Sequence, residues 1–269
     1  MRYFLCLSYD GSAFCGWQIQ PSSPSVQACL EGVLSRLLNR PVAVTGAGRT
    51  DTGVHAMGYI AHFDTDGPLP FEASDFTYKL NAMLPHGVAV HSVFPVADDL
   101  HARFSARRRE YTYFIHRQKD PFVRSYSWLC GYPSLDFESM NQACRYLLGT
   151  HDFSCFEKTG GDNKTSVCTV FEALWHPYVP SHVQVMGSPR EENTPTGEIS
   201  ATESQYWYFR IAADRFLRNM VRATVGSLIE VGRGKHAPEW MAELIESGTR
   251  SDAGESVPGH ALFLSKVFY

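Results

Sequence analysis

The stretch PVAVTGAGRTDTGVHAMGYIAHF (residues 41–63) decides the reading of this chain. It opens as a short apolar strand at residues 41–45, passes through a small, polar, glycine-rich loop, and returns as a second strand at 58–63. Within the loop Arg49 and Asp51 lie two residues apart, which puts both side chains on one side of an extended segment. An arginine beside a carboxylate keeps it ionised at neutral pH. Gly46, Gly48 and Gly53 leave room for a ligand or a second backbone. Such a loop can display a reactive carboxylate. A dinucleotide fingerprint fits poorly, because Asp51 stands where glycine is required and would repel a phosphate. A phosphate-cradling Walker loop fails because no Gly-Lys-Ser/Thr follows. On the motif alone, Asp51 as a turn residue bonded to its own backbone stays open.

Outward from the loop, the elements mix without a regular strand–helix–strand beat. Residues 2–9 alternate as a strand, and the N-terminus lacks the long apolar run of a secretion signal. Ser23-Pro24 fits a helix start, followed by Val26, Leu30, Val33, Leu34, Leu37 and Leu38 at helical spacing. Residues 76–84 form a short helix, 88–96 a strand and 109–116 a strand with Tyr111, Tyr113 and Ile115 on one face. Asp136 caps a helix carrying Met140 and Cys144, and 167–175 is a strand. Residues 176–204 read as a long polar excursion, and 206–212 as an aromatic strand. Leu217, Met220, Val221, Thr224, Val225, Leu228 and Ile229 mark one helix face, capped by Gly232, and Pro238 opens another helix. The tail, 261–269, closes as a strand. This order predicts an α+β fold with a largely antiparallel sheet flanked by helices. Its expected halves are 1–104, carrying the Asp51 loop, and 105–269.

The 269 residues are 44% apolar and 19% charged, ordinary globular values that exclude a mostly disordered chain. No apolar run reaches the roughly 18 residues a membrane span needs. Seven cysteines are scattered without a C-x-x-C pair, which speaks against zinc knuckles and fits a reducing cytoplasm. Net charge is −4, yet basic side chains cluster. Residues 101–124 hold seven Lys or Arg against two acids, and 210–235 hold six against two. Two such clusters on an acidic chain suit a polyanion, although charge runs are commonly just solvated faces.

YDGSAFCGWQIQP (9–21) and GAGRTDTGVHAMG (46–58) resemble the tRNA pseudouridine synthase A (TruA) family. FSARRREYTY (104–113), RFLRNMVRATVGSLIEVGRG (215–234) and PGHALFLSKVFY (258–269) continue the resemblance in order over nearly the whole chain. The resemblance implies a pseudouridine synthase fold with a positively charged RNA-binding cleft, acting on uridines 38, 39 and 40 of the tRNA anticodon arm. It implies a homodimer in the cytoplasm, with no membrane association, cofactor or metal. Asp51 becomes the nucleophile and Tyr111 the residue packed on the uracil. Arg222 becomes the basic partner of the aspartate, Leu262 the apolar closure of the pocket, and Arg49 the group that helps flip the base or holds its phosphate. Departures are Ala261, where glycine usually precedes the leucine, and Lys158, Asn163 and Lys164, where a more arginine-rich stretch is expected.

His55 is expected to touch RNA phosphate; with His62, seven residues on, it lacks the nearby ligands of a metal site. Arg107, Arg108 and Arg109 are expected to touch phosphate. His151-Asp152 lacks any nucleophile motif and reads as a capping or turn pair. A competing function is a non-catalytic tRNA-binding protein or chaperone. A nucleotide-dependent enzyme using the glycine-rich loop is the third class.

Overall fold

The computed structural model describes residues 1–160, 164–187 and 204–269. Its first elements are β1 (Arg2–Tyr9), α1 (Val26–Leu37), β2 (Thr45–Gly46), β3 (His55–Asp64), α2 (Ala73–Met83), β4 (Val88–Val96), β5 (Arg108–His116) and β6 (Trp128–Leu129). There follow α3 (Phe137–Cys144), β7 (Gly149–Asp152), β8 (Val167–Pro177), α4 (Ser181–Met186), β9 (Tyr206–Ala213), α5 (Met220–Gly232), α6 (Trp240–Ser247) and β10 (Leu262–Phe268). The described fold mixes helices with mostly antiparallel strand pairs. Two compact units emerge: residues Met1–Tyr111 with Phe263–Tyr269, and Thr112–Leu262. The expected division at 104/105 therefore moves into β5, and the last strand returns to the first unit. Strand pairing, not chain order, sets these bounds.

In the first unit the strands run β4–β1–β3–β10, with β2 on β3. β1 pairs antiparallel with both β3 and β4, while β10 joins β3 in parallel through Phe263↔His55 and Leu264↔Ala56. That parallel pairing explains why β3 begins at His55, ahead of the start expected at Gly58. Leu5, Leu7, Leu30, Leu34, Phe63, Phe76 and Leu80 are fully or almost fully buried in one core. The helix expected after Ser23-Pro24 starts two residues later. Ser25 Oγ accepts from the Ala28 N–H at 3.3 Å, and the Gly16 and Trp17 carbonyls take the Val26 and Gln27 N–H groups. The apolar strand expected over 41–45 shrinks to the two residues of β2. Side chains of α1 take its donors first: Ser35 Oγ accepts from Val42 N–H and Glu31 Oε1 from Val44 N–H, each at 2.9 Å.

In the second unit β9 lies between β8 and the later residues of β5, and β7 pairs with β8. Trp175 on β8 sits opposite Phe209 on β9, and both rings are buried. α3 packs against α5 and α6. Asp136 caps α3 as expected, its Oδ1 accepting from the Glu138 and Ser139 N–H groups. α5 begins at Met220, so Leu217 precedes it, after Asn219 in the left-handed region at φ 67°. Gly232 is its last residue and Arg233 takes the C-cap. β8 continues to Pro177 and α4 follows, so the expected excursion starts later than read. Its residues 188–203, and Asn163, lie outside the described residues. Among the described residues no helix is long and apolar enough to cross a membrane.

Candidate active site

The Asp51 loop joins β2 to β3, whose pairing Thr45↔His62 and Gly46↔Ala61 forms the neck beneath it. Ala47 N–H extends the neck to the Ile60 carbonyl at 2.8 Å. At the far end the Val54 N–H closes a turn on the Asp51 carbonyl at 3.1 Å. Between these points neighbouring side chains and the Trp17 main chain hold the loop. Tyr59 Oη donates to the Gly48 carbonyl. Trp17 N–H donates to the Thr50 carbonyl at 3.2 Å, and Thr50 Oγ1 shares a 2.8 Å hydrogen bond with Tyr9 Oη. Three rings floor the loop. Trp17 stacks on Tyr59 at 4.2 Å, and Tyr9 meets Tyr59 edge-on at 5.4 Å. Gly16 is obligatory in this floor, because its φ is +90° and a Cβ there would lie 2.3 Å from the Thr50 carbonyl oxygen.

Thr50 is buried, whereas Arg49 is exposed and Asp51 half-buried. Tyr111, on β5, lies near enough to feel the Asp51 charge. Burial pushes its phenol up to about 12, against the Arg109 cation and with a further push from the Asp51 carboxylate. Tyr111 is therefore a neutral phenol throughout the neutral range. Its ring can face a base, and its hydroxyl has a proton to donate.

Two residues expected to touch RNA do something else. His55 is 1% exposed. Its Nδ1 accepts from the Gly11 N–H at 3.0 Å, and its ring stacks on Phe263 at 4.6 Å. Asp10 Oδ1 approaches the same nitrogen at 3.2 Å, an ion pair only when the ring is protonated. Burial turns the expected phosphate contact into a packing role. Arg109 points its guanidinium at main-chain oxygens. Nε and Nη2 donate to the Ala47 carbonyl at 3.3 and 3.1 Å, and Nη2 also reaches the Arg103 carbonyl at 2.5 Å. It ties the Asp51 loop to the 101–105 loop, because a planar fork of donors can bridge two carbonyls. Arg108 lies over the Phe268 ring at 5.5 Å and 3.6 Å from Glu110, while Arg107 is exposed.

In the second unit Arg222 projects from the first turn of α5. Its Nε donates to the Val257 carbonyl at 2.7 Å, and Val257 N–H returns to the Arg222 carbonyl at 3.3 Å. The 254–258 segment lies along α5 as a strap. Asn219 Nδ2 and Arg250 Nη2 both reach Ser256 Oγ, and Gly254 N–H donates to Ser227 Oγ. Tyr113 Oη secures its end at the Pro258 carbonyl, 3.0 Å away. Gly226 admits the strap: a Cβ there would meet the Glu255 carbonyl oxygen at 1.8 Å. The strap leads through a short turn to Leu262, which is buried. Ala261 is fully buried and outside the positive-φ set, so it carries no backbone strain in place of glycine.

His62 belongs to the neck. Its Nδ1 accepts from the Ala102 N–H at 3.1 Å, and burial, then Arg2 and His101, lower its pKa to about 4 against the pull of Asp64. His151 Nε2 meets the Leu148 carbonyl and Asp152 accepts from Ser154 N–H, the turn roles expected of them. Among the described residues no group of three or more His, Cys, Asp or Glu is arranged to hold a metal ion. The roles of Tyr9, Tyr59 and Arg109 were not legible in the sequence. Tyr59 and Arg109 bond to backbone oxygens, which carry no side-chain signal, and Tyr9 to the Thr50 hydroxyl 41 residues away.

The chain matches a family model described as tRNA pseudouridine synthase over residues 5–105 and 143–269. A protein of Bacteroides thetaiotaomicron named tRNA pseudouridine synthase A is 45% identical over 268 residues, covering 100% of this chain and 90% of that protein. A protein of the same name from Porphyromonas gingivalis is 43% identical, covering 100% and 97%. Another from Parabacteroides distasonis is 44% identical, covering 100% and 96%.

Proposed function

The chain belongs to the tRNA pseudouridine synthase family, and we propose on that premise that it isomerises uridine to pseudouridine at positions 38, 39 and 40 of the tRNA anticodon arm, with Asp51 as nucleophile. The observation that carries the reading is the display of Asp51. A half-buried carboxylate stands on a loop whose main chain is gripped from below, beside a neutral tyrosine.

The reaction breaks the N1–C1′ bond, turns the uracil and joins C5 to C1′. The C5 proton is lost and N1 takes one up, so atoms balance without an oxidant or co-reactant. The carboxylate acts by attacking C1′, by steadying an oxocarbenium-like sugar, or by taking a sugar proton to give a glycal. Each route needs Asp51 ionised. Tyr111 stacks on the uracil, a contact worth about 1–3 kcal/mol. The target base must leave the RNA stack, which costs a few kcal/mol. Arg49 offsets part of this at the phosphate, and the exposed Arg107 adds backbone affinity. Arg222 and Leu262 take the roles of basic partner and apolar closure by family resemblance. The enzyme acts as a homodimer in the cytoplasm, where tRNA is at hand.

The test is pseudouridine formation on unmodified tRNA transcripts bearing U38, U39 or U40. Wild type should convert them. Asp51→Asn should lose about 10³-fold or more while keeping tRNA affinity and melting temperature, because asparagine has the same shape and keeps the main-chain turn to the Val54 N–H. An Asn variant that still converts would overturn the nucleophile. Wild type that binds tRNA and converts no uridine would mark a tRNA-binding protein.

A further inference from the structure

Phe104 is 76% exposed, and a single exposed ring means little by itself. Here three observations make it more. First, its loop is fully anchored. Every main-chain N–H from His101 to Ser105 donates to a partner: His101 to Ser105 Oγ, Ala102 to His62 Nδ1, Arg103 and Phe104 to His101 Nδ1, and Ser105 to the His101 carbonyl. Tyr269 Oη holds the Ala102 carbonyl at 2.6 Å and Arg109 holds that of Arg103 at 2.5 Å. A loop this constrained presents its side chains in fixed positions. Second, the Phe104 ring is dressed as a stacking surface. The His101 ring supports it at 4.4 Å, and the Arg103 guanidinium lies 5.5 Å from its centroid. Third, Arg103 also lines a cavity of about 170 Å³ with Arg49, Gln18, Gln27 and Gly48. Two arginines and no carboxylate line this small cavity, a set that suits an anion. Arg109 bridges this loop to the Asp51 loop through the Ala47 carbonyl, so the two are held in register.

We propose that Arg103 and Phe104 form a docking platform for a nucleotide next to the target uridine, its base stacked on Phe104 and its phosphate in the Arg49–Arg103 cavity. The proposal rests on the reading of this chain as a uridine isomerase acting on RNA. The flipped base goes to Asp51, and the platform catches the neighbour left without a stacking partner. A π-face accepts any base, so the platform supplies grip without sequence preference. Arg103 and Phe104 are positioning residues, since neither touches the reacting atoms.

The experiment compares wild type, Phe104→Ala, Phe104→Trp, Phe104→Leu and Arg103→Gln on an anticodon-arm transcript. Phe104→Ala should lower kcat/KM about ten-fold, mostly through KM, with an unchanged melting temperature because the ring is exposed. Phe104→Trp should restore it and Phe104→Leu should not. Arg103→Gln should reduce the slope of log affinity against log salt by about one phosphate. Removing the base on one side of the target should cost wild type about the same ten-fold and cost Phe104→Ala nothing more. Phe104→Ala turning over like wild type, or losing the full factor again on both abasic substrates, would overturn the platform. Should wild type convert no uridine, the isomerase reading fails separately. The platform is then judged by anisotropy with the same transcript, where equal affinity of wild type and Phe104→Ala sinks it.

Discussion

Around Asp51 the neighbours grip the main chain, whereas at Arg222 the side chain is itself gripped. The loop is held at the Gly48, Thr50 and Asp51 carbonyls, the Thr50 hydroxyl and the Ala47 carbonyl, mostly main-chain atoms. The helix holds Arg222 by its backbone, and the strap then takes Nε. The contrast follows from the elements. A loop lacks internal hydrogen bonds and must borrow them from side chains around it. A helix supplies its own, so surplus donors on its surface are available to fasten a neighbouring segment. Changes near Asp51 should therefore alter chemistry with limited effect on stability. Changes at Arg222 should alter both.

The strongest way to break this comparison is Gly226→Ala. Its Cβ would press on a carbonyl oxygen 1.8 Å away, and both sides are backbone. The variant should lose about 3 kcal/mol in urea unfolding. A loss under about 1 kcal/mol would mean that the strap shifts freely and Arg222 is not locked by it.

Acid should act on the loop's neck. His62 is held neutral in the fold, with a pKa near 4 against 6.5 for an ordinary histidine. Above pH 6.5 both states are neutral and the full stability is present. As pH falls toward 4 the unfolded chain takes up a proton that the folded one refuses, so stability drops by about 3 kcal/mol from this group. His62→Asn keeps an acceptor for the Ala102 N–H and should flatten that part of the slope. His116 in the second unit, also lowered by burial, should leave a residual slope. An unchanged slope in the variant would assign the acid sensitivity elsewhere.

Arg222→Lys sharpens the contrast. Lysine keeps the charge and lacks an Nε to donate to Val257. Stability should fall by about 2 kcal/mol, with kcat reduced as well. Full stability with reduced kcat would show that the strap does not depend on Nε. The smallest effect belongs to Tyr59→Phe, which frees the Gly48 carbonyl. About 1 kcal/mol of stability should be lost, while kcat falls several-fold at constant KM. A change confined to stability would separate the loop's anchoring from its chemistry.

Much of the fold was legible in the residues. The strands at 2–9 and 88–96 and the Asp136 cap all appear as expected. The errors share one cause. The start of α1, the shortening of β2 and the early start of β3 each depend on partners outside the segment itself: Gly16 and Trp17, Ser35 and Glu31, Phe263 and Leu264. The site divides the same way. Asp51, Arg49 and Tyr111 carried motif signals. His55 and Arg109 looked like phosphate contacts and serve as packing and bridging groups instead.

By itself the sequence determined the chemistry on display: an arginine and an aspartate two apart in a small loop, a tyrosine on an alternating strand, and an order of elements that favours a largely antiparallel sheet over a doubly wound one. Local spacing and side-chain type suffice for those. Only the tertiary structure decided which positive charges remain outward and which are turned to the backbone. Exposure and hydrogen-bond partners depend on what packs alongside, so Arg103 stands out beside Phe104 while Arg109, in the same basic run, is drawn to the Ala47 carbonyl.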